Sequence, residues 1–338
     1  MERLGEVTDH CMTFTDYLHN VDSTDVTYPL YKYLAHPSVL STFQHTTFGT
    51  VFTIHPNNYG TAIINCFRHK ELNHVDKAGK VSKKEHIGFT TLGFISLTTG
   101  GKLLTNIHGK CIMRLTDSGD SHVAFSTSPL IPIQICETED GSLLVTLSDN
   151  AEYDINDENT RVLTKYTNKG LRMLTVERDN QGQRLFCRPG RLKCNKRNGQ
   201  IMVGNRTGET AAHIVVFDTD LRLLFRYLGN GRALSSDDDF NENLINTDFF
   251  AVDADFDIFN NIVVVDNHTK SVELLDCYGQ LLQIVTQDSD APRSLCVNFD
   301  QTLWIGFTNG KVKVIKYIEA CDVQYSRQQE KSDSYSGH

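Results

Sequence analysis

The sequence predicts an all-β chain folded as a six-bladed β-propeller whose ring is closed by an N-terminal strand. Three observations lead there. Short apolar-alternating runs of strand length fill residues 38 to 319, separated by turns rich in Gly, Asn and Asp, while helical periodicity is missing. One unit of such runs recurs six times, which is the signature of a repeat architecture. An orphan run, Ser38 to Phe43, stands ahead of the first unit, and the sixth unit runs out after its third strand.

The clearest copy is blade five. Phe249-Phe250-Ala251-Val252-Asp253 is followed by Asn261 to Asn267, then Ser271 to Gly279, then Leu281 to Val285. Four strands per unit is a propeller blade. Blade one opens at Val51 to Ile54 and continues through Thr61 to Asn65 and Asn73 to Asp76. Blade two has Gly93 to Leu97, Lys102 to Thr105 and Cys111 to Leu115, with Gly100-Gly101 as a hairpin turn. Blade three has Ile133 to Cys136, Ser142 to Thr146 and Arg161 to Tyr166. Blade four has Gly190 to Cys194, Gln200 to Val203 and His213 to Asp218. Blade six has Ser294 to Val297, Thr302 to Gly306 and Lys311 to Ile315. The fourth strands are harder to place. Using Ser38 to Phe43 as the outer strand of blade six pairs both open edges, which removes a site of aggregation. Residues 1–36 then read as a leading linker, 37–320 as the propeller and 321–338 as a polar tail.

The bulk properties agree with a soluble globular domain. Of 338 residues 39% are hydrophobic and 22% charged, enough apolar material for a core. The net charge of −9 counts against generic nucleic-acid binding, because that affinity comes from Lys and Arg. No signal peptide or long apolar run is visible, so no membrane is expected and the expected location is cytoplasmic. The nine cysteines show no Cys-x2-Cys pair and read as reduced structural thiols; zinc modules need tighter clusters.

Four segments carry a family resemblance: QICETEDGSLLVT from Gln134, AAHIVVFDTDLRLLFRY from Ala211, NIVVVDNHTKSVELLDCYG from Asn261 and SLCVNFDQTLWIGFTNGKVKVIKY from Ser294. They resemble the NHL-type propeller of tripartite-motif proteins, in its divergent invertebrate form. The resemblance spans residues 38 to 319 without one sharp motif. It departs from the pattern at Asn267 to Val272, and no RING, B-box or coiled-coil segment is present in the sequence. It implies a non-enzymatic recognition module. Such propellers use the face formed by second-to-third-strand and blade-to-blade loops to bind a protein partner or single-stranded RNA.

Sorting loops by face puts Arg68, His69 and Lys70, His108 and Lys110, Arg188 and Arg191, Arg206, His268 and Lys270, and Arg293 and Lys311 on that face. This is a broken basic ring in an acidic protein, suited to phosphate or an acidic peptide; charged loops are also the ordinary state of a solvated surface. Stacking aromatics are not evident among them. The acidic stretches Asp149 to Glu158 and Ser235 to Asp248, with Asp237, Asp238 and Asp239, would repel phosphates, which favours a protein partner over RNA. The expectation is no catalytic residue, no cofactor, no metal and no small-molecule substrate. The third reading is a metal-dependent lactonase or esterase. It would need acids converging in the channel; Asp253, Asp255 and Asp257 read as turn residues, and no first-strand glutamate is apparent.

Overall fold

Each recurring run is a strand, and short turns leave its sequence neighbour as the partner in reach, so the strands pair antiparallel in order. The computed structural model describes residues 30–46, 49–150, 159–238, 240, 244 and 248–321. Among these no α-helix occurs.

Blade one is β2 (Val51–Asn58), β3 (Thr61–Cys66), β4 (Glu71–Asp76) and β5 (Val81–His86). Blade two is β6 (Phe94–Ser96), β7 (Lys102–Asn106), β8 (Cys111–Leu115) and β9 (Ser121–Ser126). Blade three is β10 (Ile131–Glu137), β11 (Leu143–Ser148), β12 (Arg161–Tyr166) and β13 (Arg172–Val176). Blade four has five strands: β14 (Arg188–Cys194), β15 (Ile201–Arg206), β16 (Ala212–Phe217), β17 (Leu223–Tyr227) and β18 (Ala233–Ser235). Blade five is β19 (Ala251–Phe256), β20 (Ile262–Asp266), β21 (Ser271–Leu275) and β22 (Leu281–Gln287). Blade six is β23 (Pro292–Val297), β24 (Thr302–Phe307) and β25 (Lys311–Cys321), completed by β1 (Leu30–Gln44) in the order β1-β25-β24-β23. The predicted closure is therefore present. β1 begins earlier than expected, inside the stretch read as a linker, and β18 has no counterpart in the sequence reading. The Gly100-Gly101 turn is as expected, both glycines having positive φ.

The chain divides into a large unit, His36–Tyr317, and a small one made of Met1–Ala35 and Ile318–His338. In the small unit Lys32 pairs with Glu319 at 3.3 Å; most of the predicted linker and tail lies outside the described residues.

In the large unit the first strand of every blade touches the first strand of the next, β2 to β6 and so on to β23 and back to β2, which makes a closed ring around a channel. The apolar clusters sit between neighbouring blades. Phe186, Phe217 and Leu163 join blades three and four; Tyr227, Phe249 and Val264 join four and five; Val51, Trp304 and Val312 join six and one. Each such side chain contributes roughly 1.5–3 kcal/mol when fully buried.

A bulge recurs near the start of the inner strands. The register slips at Val51/Thr53, Pro132/Gln134, Pro189/Leu192, Ala251/Asp253 and Pro292/Ser294. A bulge adds a residue and re-aims the side chains that follow. Thr53, Gln134, Arg191, Asp253 and Ser294 lie at or beside these slips, and they form a polar layer across the channel.

Candidate functional site at the channel mouth

The polar layer divides the channel. Arg191, on β14, donates from Nη1 to Thr53 Oγ1 at 2.9 Å and from Nη2 to the Phe52 carbonyl, and its Nε lies 3.7 Å from Asp253 Oδ2. Gln134 Nε2 donates to the Leu92 carbonyl at 2.5 Å, and Ser294 Oγ to the Val51 carbonyl at 2.9 Å. Asp253 Oδ2 accepts the Leu295 amide at 3.0 Å. Burial raises the Asp253 carboxyl above its ordinary value although Arg191 and Lys193 oppose this, and burial lowers the Arg191 guanidinium.

On the side of the second-to-third-strand and blade-to-blade loops lies a cavity of about 340 Å³. Arg188, Arg191, Arg206 and Arg293 converge on it from blades four and six, with His108 from blade two. Among the described residues no Asp or Glu lines it. Its walls include Phe52, Phe67, Ile133 and Val252, and its polar groups Gln134, Ser148 and Asn150. The guanidinium carbons of Arg191 and Arg293 sit 4.5 and 5.1 Å from the centre of the Phe52 ring, and that of Arg206 sits 4.8 Å from Phe250. Phe52 and Phe67 pack with centroids 5.3 Å apart. Guanidinium planes stacked on aromatic faces keep their forks in place for an anion.

Of the predicted basic ring, then, Arg188, Arg191, Arg206, Arg293 and the neighbouring His108 share one cavity, and the remainder do not line it. Arg68, Lys110 and Lys270 take left-handed turn positions, φ 65°, 48° and 58°. Arg68 lies 5.3 Å from the Phe67 ring, and Lys70 is exposed. Lys270 Nζ donates to the Ser289 carbonyl at 2.8 Å, and His268 stands 3.9 Å from Asp248. Lys311 is engaged by Asp288 at 3.0 Å and Asp290 at 2.5 Å. Of the acids expected to repel an anion, Asp238 accepts the Ser235 amide at 2.7 Å and stays out of the cavity wall, and Asp239 lies outside the described residues.

Two sequence readings are corrected here. Stacking aromatics are present: Phe52 is the bulged residue of an inner strand and Phe67 sits in a turn, positions that a scan for interleaved loop aromatics passes over. Asp253 and Asp255 are channel-facing strand residues, and only Asp257 holds a turn, accepting the Phe259 and Asn261 amides at 2.8 and 3.0 Å. A first-strand glutamate also exists, Glu137 at the end of β10.

Asp253, Asp255 and Glu137 line the opposite mouth, a cavity of about 460 Å³. Asp255 pairs with Lys193 at 2.9 Å and Glu137 with Lys196 at 2.6 Å. Glu137 also accepts from the amide and hydroxyl of Thr98 at 3.2 and 3.1 Å. Burial, aided by Lys193, Lys196 and Lys102, lowers His55 to about 3 and keeps its imidazole neutral; its Nε2 accepts the Ser96 amide at 3.2 Å. No set of three or more His, Cys, Asp or Glu side chains among the described residues is grouped to hold a metal ion. The channel carboxylates already face ammonium or guanidinium groups, so the residues present do not fit a divalent cation.

No family model and no curated protein matches the chain. Solved structures do. A protein classed as a gluconolactonase is 14% identical with a TM-score of 0.59, the match covering 86% of this chain and 96% of that one. A gluconolactonase from Xanthomonas campestris is 12% identical, TM-score 0.58, covering 84% and 95%. A catalytically inactive virginiamycin B lyase from Staphylococcus aureus, solved with quinupristin, is 11% identical, TM-score 0.52, covering 85% and 99%. At these identities they show the propeller fold. They give no support to the tripartite-motif type. They also overturn the expectation of a non-enzymatic recognition module, since these propellers are described as enzymes. No helix among the described residues is long and apolar enough to cross a membrane.

Proposed function

We propose that the chain is a propeller enzyme that opens a lactone or ester in a small, negatively charged substrate at the arginine-lined mouth. The observation that carries this reading is the convergence of Arg188, Arg191, Arg206 and Arg293 on one cavity whose wall, among the described residues, holds no carboxylate. Addition of water to an ester carbonyl places negative charge on its oxygen, and fixed cationic donors stabilise that charge before it forms. Arg191 is suited to the floor because Thr53, the Phe52 carbonyl and Asp253 hold it still. Arg206 and Arg293 are suited to the substrate's own anionic group, a carboxylate or phosphate, and Arg188, beside the bulge that carries Arg191, to the charge that develops on the carbonyl oxygen. His108 is the imidazole on the same wall, and its role is to take a proton from the attacking water. Phe52 and Phe67 supply an apolar wall for the ring. The likeness to gluconolactonases supports lactone chemistry, and the guanidinium groups take the charge-stabilising part for which no metal-binding set exists among the described residues.

The test is a pH-stat screen of matched lactones and esters with and without a carboxylate or phosphate group, run with and without a chelator. Turnover that favours the charged member of each pair and survives the chelator is expected. Absence of turnover in both classes, or activity that disappears with the chelator, overturns the reading.

A further inference from the structure

We propose that the anionic group taken by the arginine mouth is a phosphate monoester in its dianionic form, carried on a flat apolar body; this rests on the reading of that mouth as the substrate site. Arg188 and Arg206 stand directly opposite each other in the β14–β15 register. Like charges so placed, with Cβ atoms about 4.5–5.5 Å apart, destabilise a sheet. Arg293 of β23 brings a third guanidinium to the same cavity. The fourth, Arg191, has the Asp253 carboxyl at 3.7 Å, at the floor. Arg206 is held by the Phe250 ring, 4.8 Å from its guanidinium carbon, and by the Glu209 carbonyl at 3.1 Å; Arg293 lies 5.1 Å from the centre of the Phe52 ring. None of these braces carries a charge.

The inner-strand bulges build the rest of the mouth. Phe52, Ile133, Val252 and Arg293 are the extra residues at the slips of β2, β10, β19 and β23, and all four line the cavity. A bulge re-aims one side chain per strand, and here it aims them at one space. Blade order then sorts the wall by charge. Arg206 belongs to blade four and Arg293 to blade six, and between them blade five offers Ala251 and Val252, which are short. Two guanidinium groups therefore flank a gap that suits a compact head. Across the mouth, blades one and three present Phe52, Phe67 and Ile133, an apolar face in which Phe67 is 42% exposed.

Charge and shape select the head. A carboxylate has one charge and two oxygens in a plane, so it matches one guanidinium fork. A phosphate monoester carries roughly −1.5 to −2 at neutral pH and has three terminal oxygens, so it accepts from Arg206 on one side and from Arg293 on the other. The cavity of about 340 Å³ is, as a sphere, about 9 Å across, within the ~8–10 Å over which charges in physiological salt act on one another. The second negative charge therefore also relieves the repulsion between Arg206 and Arg188, and Arg188 remains for the carbonyl oxygen. The lysines of the opposite mouth offer no such site, because Lys193 and Lys196 face Asp255 and Glu137 at 2.9 and 2.6 Å.

The experiment is calorimetric titration of the whole protein, at one neutral pH and one ionic strength, with phenyl phosphate, its singly charged methyl diester, benzoate and inorganic phosphate. Phenyl phosphate is expected to bind more tightly than benzoate or the diester by on the order of tenfold, the worth of one more charge-assisted hydrogen bond. Inorganic phosphate, which leaves the apolar face uncovered, should also bind more weakly than its phenyl ester. In Arg206→Ala and in Arg293→Ala the preference for phenyl phosphate over benzoate should fall to near unity. Benzoate, the diester or inorganic phosphate bound as tightly as phenyl phosphate overturns the proposal, as does phenyl phosphate that does not bind. Where a variant does not fold, the four wild-type affinities decide. The titration reads no turnover, so the two readings fail separately: this binding order without hydrolysis of any lactone sinks the lactonase alone, and turnover of lactones with benzoate bound as well as phenyl phosphate sinks the phosphate site alone.

Discussion

Arg191 and Thr53 join opposite blades of the ring: the Nη1–Oγ1 bond of 2.9 Å runs from blade four to blade one across the channel axis. A single side chain thereby closes the bore, holds the inner strands at a fixed separation, and separates an arginine mouth from a mouth lined by lysines, acids and thiols. The bulge at Pro189/Leu192 is what aims it there.

Arg191→Met should destabilise the protein by about 3–5 kcal/mol, because it leaves the buried Asp253 carboxyl without its cation. The paired change Arg191→Met with Asp253→Asn should recover much of the loss, as the residual charge goes with it. Denaturant midpoints at unchanged m-value measure both. Equal midpoints for the single and double variants would show that the pair is not coupled.

Ring closure rests on Phe43 of β1, which packs edge-on to Trp304 with centroids 6.3 Å apart and covers Gly79 closely. A Cβ on Gly79 would come within 2.5 Å of the Phe43 ring, at a positive φ that disfavours any side chain. Deleting residues 1–46 should expose the edge of β25, lower the melting temperature and promote association. Trp304 is the sole tryptophan and fully buried, so its emission should shift to the red on truncation. A monomeric truncated protein with unchanged melting temperature and emission would rule the closure out.

The seam between blades one and two carries an acid-sensitive cluster. Burial alone would raise the Glu85 carboxyl, but hydrogen bonds from Lys83 at 2.7 Å, His74 at 3.0 Å and Lys102 at 3.2 Å outweigh it and hold it at about 2. A carboxylate depressed in the folded state stabilises it above the ordinary value of 4.5, and that contribution is lost as the pH falls towards 2. Glu85→Gln should therefore be less stable than the wild type at neutral pH and show a flatter decline between those limits. Thermal melts across the acid range supply the comparison.

The fold was legible in the sequence because a blade repeats its alternation: the inner strands read as apolar runs such as Ser294 to Val297, and the orphan Ser38 to Phe43 named its own partner. The outer strands were obscure for a physical reason. β5, β9 and β13 have mostly exposed residues, Val81–His86 among them, and an edge facing solvent needs no apolar period. Part of the basic ring was visible, since Arg188 starts β14, Arg206 ends β15 and Arg293 is the second residue of β23, positions that fall near a mouth. What turned them into a site was not visible. The inner-strand bulges decide which way Arg191, Asp253 and Asp255 point, and a bulge is one residue of register that composition does not encode. The pairing of Asp288 and Asp290 with Lys311 spans a strand and a turn, so Lys311 looked available.

The arginine mouth gives the sharpest division between substrate binding and charge stabilisation. Arg293 lines the cavity and stacks on Phe52, and Arg206 stacks on Phe250, so each truncation removes a positive charge facing the substrate's anionic group while the polar layer stays intact. Arg293→Ala and Arg206→Ala should each raise KM for charged lactones, with kcat less affected, and should leave uncharged analogues unchanged. Arg188 lies nearest in sequence to the bulge that carries Arg191. If Arg188 faces the developing oxyanion, Arg188→Ala should lower kcat by about 10²–10³, the loss seen when one such donor is removed. His108→Asn should lower kcat by about 10²–10⁴, the usual contribution of one positioned proton acceptor, on charged and uncharged lactones alike. Steady-state kinetics on matched charged and uncharged lactones separates the three effects. Equal losses on both substrate classes for Arg206→Ala and Arg293→Ala would mean that the guanidinium groups brace the mouth and do not bind the anion.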